Sequence, residues 1–259
     1  MSFRFWRLER RDRVAILAID RPEAANAIDQ AVLAELEEAL RRLETEPRLR
    51  AILFTGAGGV FSAGGDIRTM RDMTVEEGRR FVEDGHRVLD AIAASHLVSV
   101  AAIDGAALGG GAELALACDL RIASERAVLG FPEVQLGLYP GWGGTQRAVR
   151  VLGPSRAKLL MLTGERVDAR QAFDLGLVDR VVPADRLLPA CLELAERVAV
   201  NSPTAVRQTK MAIVHGSEQA LATALRLEIE GWMVNFATPD RVEGLTAFLE
   251  RRAPRWSEP

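Results

Sequence analysis

Cysteine, histidine and lysine are all scarce in this chain, and each scarcity removes a class of function. Two cysteines, Cys118 and Cys191, in 259 residues make neither a disulfide framework nor a paired metal spacing. The three histidines, His86, His96 and His215, show no metal-ligand spacing, and none accompanies a Gly-x-Ser-x-Gly elbow. His86 and His96 flank a helix end and read as structural. Lys158 and Lys210 are the only lysines, so the basic charge is nearly all arginine. With a formal net charge of -3 and no lysine cluster, neither nucleic acid nor an acidic membrane surface is an expected partner. A GxxxxGK[ST] phosphate loop is missing, and Gly105–Gly111 lacks the GxGxxG spacing. The opening stretch, MSFRFWRLERRDR, is too charged for a signal-peptide core, and no apolar run makes a convincing bilayer span, so a reduced cytoplasm is the expected compartment.

What the chain does have is centred on VAAIDGAALGGGAELALACDL, Val100–Leu120. Val98 to Ile103 reads as a buried strand, Asp104-Gly105 as a break, and Gly109–Gly111 as the approach to an apolar helix over Ala112–Cys118. Glycines here leave backbone N–H groups open to a ligand, and a helix N-terminus behind them adds positive partial charge. Such an arrangement suits an oxygen on which negative charge develops. Glu113 is the one carboxylate in that helix's first turn, where it can serve acid–base chemistry or simply complement the helix dipole. Leu97–Cys118 is long enough to suggest a membrane span, but Asp104, Glu113 and the glycines favour strand–turn–helix.

Around this centre the sequence predicts strands at Phe3–Leu8 and Val14–Asp20, joined by the charged turn Glu9–Arg13. A helix capped by Asp29 should run to about Thr45 on the stripe Val32, Leu33, Leu36, Leu40 and Leu43. Strand Ala51–Thr55 and the glycine loop 56–59 follow, then Phe61–Ile67, FSAGGDI, a second place where small residues expose backbone. Thr74 and Glu77 form a capping box for a helix to about Ala94. Strands are expected at Leu120–Ala123, Val128–Phe131 and Leu177–Val182. Helices are expected at Thr145–Val151, at Pro154–Leu162 and between Asp168 and Gly176. Beyond Pro183 the pattern is helical, with breaks at Asn201–Pro203, Gly216 and Thr238-Pro239. We divide the chain into a strand–strand–helix core over residues 1–200 and a C-terminal helical region over 201–259.

Glu133, twenty residues after Glu113, follows a proline in Gly130–Glu133. It reads either as a surface charge or as a carboxylate whose burial would raise its pKa.

The pattern as a whole resembles the enoyl-CoA hydratase/isomerase (crotonase) superfamily. The resemblance runs through Val100–Leu120, FSAGGDI, FPEVQLGLYPGWGGTQR (Phe131–Arg147), LTGERVDARQAFDLGLVDRVVP (Leu162–Pro183) and FATPDRVEGLTAFLERR near the C-terminus. It implies an α/β fold, a crotonase-like spiral of strand–strand–helix units with a C-terminal helical appendage, in trimers commonly stacked into hexamers. An acyl-CoA thioester is the implied substrate, so coenzyme A arrives with the substrate and no separate cofactor or metal is called for. The oxyanion donors of the family fall on the backbone N–H groups of Gly65 and Gly110. Contacts to CoA and acyl group fall on Ala24, Ala25, Ala63, Gly65, Asp66, Ile67, Arg68, Gly110, Pro140, Gly141 and Trp142. Arg21–Asn26, in an RPxxxNA pattern, matches a pantetheine and phosphate contact. Members that hydrate enoyl thioesters carry two glutamates, which fall on Glu113, acting on water, and Glu133, acting at Cα.

Two departures from the family pattern bear on the acyl group. Trp142 stands where many hydratases have a small residue, and either narrows the acyl pocket or packs against the appendage. Gly65 replaces a larger residue and suggests a looser loop. Rival readings are a double-bond isomerase, a hydratase–lyase for an aromatic or cyclic acyl-CoA, and a binding protein, RNA-binding relatives included, that uses the scaffold without catalysis.

Overall fold

In the computed structural model, which describes residues 3–257, two sheets of unequal size carry the chain. Strands β1 (Trp6–Arg11), β2 (Val14–Ile19), β3 (Ala51–Gly56), β4 (Val98–Ile103), β6 (Leu120–Ser124) and β9 (Arg180–Val182) form the larger, in the order β1-β2-β3-β4-β6-β9. Only the β1–β2 pair is antiparallel. Parallel strands covered on both faces should be apolar throughout, and β4, VSVAAI, is buried at every position. The smaller sheet is β5 (Ala106–Leu108), β7 (Val128–Gly130) and β8 (Arg166–Asp168).

The spiral comes from alternation between these sheets. After β4 the chain enters β5 and then helix α4 (Gly110–Ala117); after β6 it enters β7. Earlier turns do the same with single bridges, Ser62 to Ala107 after β3 and Ile28 to Gly65 after β2. Helices α1 (Gln30–Leu43), α2 (Ile67–Arg71) and α3 (Val75–Ala94) complete those turns. Asp29 caps α1 by accepting from Ala31 and Val32 N–H, and the expected stripe on α1 is buried. Thr74 and Glu77 make both bonds of the capping box on α3.

Several expected boundaries move for identifiable reasons. Strand β1 runs through Glu9–Arg11 and turns only at Asp12, whose φ of 49° is left-handed. It is an edge strand, where charged residues are tolerated and discourage further pairing. Leu177 is not a strand residue, because its N–H closes the end of helix α7 (Ala169–Leu175) by donating to Ala172 O at 2.8 Å. Strands β5 and β8 lie outside the expected strands: β5 falls in the small-residue approach to α4, and β8 is charged at both ends. Helix α4 starts two residues before Ala112, at Gly110. Helices α5 (Gly144–Leu152) and α6 (Pro154–Thr163) fall close to expectation.

Beyond residue 183, helix α8 (Leu187–Ala199) packs Leu187, Cys191 and Ala195 against Val14, Leu53 and Val100 of the large sheet. Helices α9 (Pro203–Gly216), α10 (Leu221–Phe236) and α11 (Pro239–Leu249) follow, and α10 buries none of its residues. Lys210 ties α9 to the core. Its buried ammonium pairs with Asp119 at 2.8 Å and donates to Leu97 O at 2.9 Å, while Asp119 also accepts from Ser99 N–H and Oγ. Removing one partner of such a pair leaves a charge without compensation. Lys210→Met should therefore cost about 3–5 kcal/mol in denaturant unfolding, and Lys210→Met with Asp119→Asn should recover part of it.

Candidate active site

Gly109 is the N-cap of α4 with φ 51° and ψ -123°, a conformation that only glycine adopts without strain. Its N–H is held by Gly130 O at 2.9 Å. The next amide, Gly110 N–H, is the first of the helix and has no acceptor within it. Against it lies the loop 62–66. Ile28 N–H donates to Gly64 O at 2.8 Å and Asp66 N–H donates to Ile28 O at 2.9 Å. This parallel-bridge pattern turns the intervening Gly65 N–H to the opposite side, where it donates to no group among the described residues. A Cβ placed on Gly110 would stand 3.3 Å from Gly65 N. Two unengaged backbone donors thus lie side by side.

Glu113 sits one helical turn on, its side chain buried at 2% exposure. Its Oε1 accepts from Trp142 N–H and Gly144 N–H, each at 2.7 Å. Gly144 is the first residue of α5, so the carboxylate rests against the positive end of a second helix. Burial pushes its pKa up to about 7; the two amides oppose the shift and the charge of nearby Glu133 adds to it. Both amides reach the same oxygen, which leaves Oε2 for a ligand.

Glu133 lies in the first turn of a 3₁₀ segment, Pro132–Leu136. Both carboxylate oxygens are buried with no hydrogen-bond partner among the described residues, and burial raises the pKa. An unpartnered carboxylate of this kind is costly to the fold and needs a reason. The surface-charge reading of Glu133 does not hold.

Both glutamates, Gly65 and Gly110 line one cleft of about 220 Å³. Of the other expected contacts, Ala63, Ile67, Gly141 and Trp142 also line it. Ala24, Ala25, Asp66, Arg68 and Pro140 do not. Ala24 and Ala25 stand behind Ala63, whose N–H donates to Ala25 O at 3.0 Å. Asp66 caps α2 and faces Arg21 at 3.3 Å. Arg68 is exposed on α2, and Pro140 is buried beside Gly144. Within the RPxxxNA pattern, Arg21 also pairs with Asp29 at 3.1 Å, and Asn26 spends its side-chain amide on Ala57 O and Val60 O. Arg21 braces the 62–66 loop through Asp66, and Asn26 holds the turn at Ala57–Val60 just before it.

Trp142 packs its ring edge-on to Phe81, with centroids 5.0 Å apart, in the wall of the cleft; it does not lie against the appendage. At Gly65 a Cβ would stand 2.9 Å from Met70 Sδ, the far end of a flexible side chain. Met70, Phe81, Val82, Leu136, Leu138 and Tyr139 line the cleft without having been foreseen. Leu138 and Tyr139 carried a signal, being apolar residues in a turn-rich passage; Phe81 and Val82 looked like any other helix residues. Among the described residues no three His, Cys, Asp or Glu side chains gather as metal ligands.

The family model described as enoyl-CoA hydratase/isomerase matches residues 9–259. The chain belongs to this family. Within the enoyl-CoA hydratase/isomerase family it is 41% identical over 246 residues to a crotonyl-CoA hydratase of Syntrophomonas wolfei, covering 95% of each chain. It is 43% identical over 247 residues to an enoyl-CoA isomerase/hydratase of Mycosarcoma maydis, covering 92% of this chain and 90% of the other. The crystal structure of an enoyl-CoA hydratase from Bacillus anthracis superposes with a TM-score of 0.96 at 39% identity, covering 99% of this chain and 100% of that one. The α/β spiral is therefore the crotonase fold, as the sequence resemblance implied.

Proposed function

We propose that the protein is an enoyl-CoA hydratase, adding water reversibly across the 2,3 double bond of a 2-enoyl-CoA to give the 3-hydroxyacyl-CoA. One observation carries this reading: two buried carboxylates of raised pKa face the same cleft as two unengaged backbone amides. The amides of Gly65 and Gly110 accept the thioester oxygen and stabilise the enolate-like charge that develops there. Water is held and deprotonated by Glu113, its oxygen bonds to Cβ, and the double-bond electrons move toward Cα and the carbonyl. Glu133 gives its proton to Cα. The two carboxyl groups exchange one proton per turnover and reset through solvent, so together they carry about one proton when active. The hydrogen bonds to Glu113 favour its anion. Glu133, whose oxygens accept from no other residue, is the better seat for the proton once an acyl chain covers it.

The stretch Gly65–Arg68, where Ile67 and Arg68 are exposed, suits the CoA adenine, and the substrate brings its own CoA. No metal or nicotinamide enters these steps, so the rate should be unchanged by chelation. The test is hydration of crotonyl-CoA with chelator present, followed by loss of the conjugated thioester's absorbance. Conversion of a 3-enoyl-CoA to its 2-enoyl isomer, with no hydration, would favour the isomerase reading that the name of the Mycosarcoma relative brings to mind.

The region 201–259 is proposed as an oligomerisation or lid element. Leu221 is 74% exposed, Ile229 60% and Trp232 57%, and an apolar face of this extent marks an interface. We expect a homotrimer or a dimer of trimers. A stable monomer by light scattering at micromolar concentration would contradict this. No helix among the described residues is long and apolar enough to cross a membrane; a cytoplasmic location remains part of the proposal.

A further inference from the structure

The wall of the cleft beside the reacting groups is closed by one large side chain, for which two small residues make room. Trp142 N–H holds Glu113 Oε1, so its indole starts next to the carboxylate that binds water. The ring then passes between α4 and α3. A Cβ on Gly110 would meet it at under 3.0 Å, and so would a Cβ on Gly85 of α3. Phe81 meets the ring edge-on, and Phe81 and Met70 both face Gly65. Val82 comes up against Gly141, 3.4 Å from where a Cβ there would be. The contacts Gly65–Phe81–Trp142–Gly110 thus run unbroken across the cleft from one oxyanion donor to the other.

This arrangement constrains what can be attached to Cβ. Phe81, Val82 and Trp142 line the cleft beside the two glutamates, and an acyl chain directed at this wall meets an indole that is 4% exposed and braced on both sides. Interiors this closely packed resist added methylenes.

We propose that Trp142 is the specificity-determining residue that restricts this enzyme to short 2-enoyl-CoA substrates. The space it occupies, bounded by Gly85 and Gly110, would become the acyl channel if the indole were absent. The proposal rests on the hydratase reading for its substrate, and deepens it.

The test compares kcat/KM for crotonyl-CoA and trans-2-decenoyl-CoA in the wild type, in Trp142→Ala and in Trp142→Phe. A pocket contact of this kind discriminates by at least about tenfold. The wild type should therefore prefer crotonyl-CoA by more than that, Trp142→Ala should bring the ratio close to one, and Trp142→Phe should fall between. Should Trp142→Ala fail to fold, the smaller Trp142→Phe change still reads the ratio. A wild type that hydrates both thioesters equally, or a ratio unmoved in the folded variants, overturns the proposal and leaves the hydratase reading intact. If no enoyl thioester is hydrated, the hydratase reading fails instead. Calorimetry with butyryl-CoA and decanoyl-CoA then decides the gate by itself: tighter binding of butyryl-CoA, lost in the variants, supports it, and equal binding overturns it.

Discussion

Glu113→Gln and Glu133→Gln are each expected to lower kcat for hydration by about 10²–10⁴-fold, the usual worth of a general acid or base, with little change in acyl-CoA affinity. In Glu113→Gln the new amide oxygen can still accept from Trp142 and Gly144 N–H, so the site keeps its shape and loses only the proton exchange. Affinity should persist because neither substitution touches the backbone amides of Gly65 and Gly110, the proposed thioester contacts. The double variant should lose far less than the product of the single losses, since both groups act on one addition. Stopped-flow hydration and equilibrium binding, measured on the same preparations, check all three statements. Normal hydration by Glu133→Gln with failure of Glu113→Gln alone would remove the second carboxylate from the mechanism.

Glu113→Gln should also make the protein more stable in alkaline solution. The folded state raises this carboxyl from 4.5 to about 7, so folding favours the protonated form. Its contribution is fully present below the unfolded pKa of 4.5 and is lost as pH rises through 7. Over that interval the cost of ionising a buried carboxyl reaches about 3 kcal/mol, at 1.36 kcal/mol per pKa unit. Glutamine keeps both hydrogen bonds and does not ionise. The variant should match the wild type at about pH 4 and exceed it by up to about 3 kcal/mol at about pH 8, in denaturant unfolding at equal protein concentration. A variant less stable at both pH values would mean that the carboxylate, and not its protonated form, suits the fold. Greater stability with less turnover is what a site held ready at the expense of the fold should give.

Much of this was legible in the sequence because its signals are local. The capping pair Thr74 and Glu77, the stripe on α1 and the almost wholly apolar β4 each follow from a few adjacent residues. Gly65 and Gly110 stood out because small residues cluster around both. The sequence alone could not bring their amides together, since a bridge from Ile28 to the 64–66 backbone sets the orientation of the first. Glu133 was ambiguous for the same reason: whether a carboxylate after a proline is solvated depends on Gly109, which arrives from the start of α4. Trp142 was visible as an unusual residue, but its place depends on Gly85, fifty-seven positions earlier, whose lack of a side chain had no distinguishing mark on an ordinary helix. The short strands β5 and β8 were invisible because one lies in the small-residue approach to α4 and the other is charged at both ends.

In the proposed reaction this cleft adds a proton at Cα and water at Cβ of an enoyl thioester using its own two carboxyl groups. Incubating the protein with crotonyl-CoA in deuterium oxide with chelator present, and examining the product by NMR, tests it directly. The account predicts 3-hydroxybutyryl-CoA carrying one deuterium at Cα, formed at a rate that collapses in the Glu113→Gln and Glu133→Gln variants. Deuterium exchanged into unhydrated thioester, a shifted double bond without added water, or hydration that survives both substitutions would contradict it.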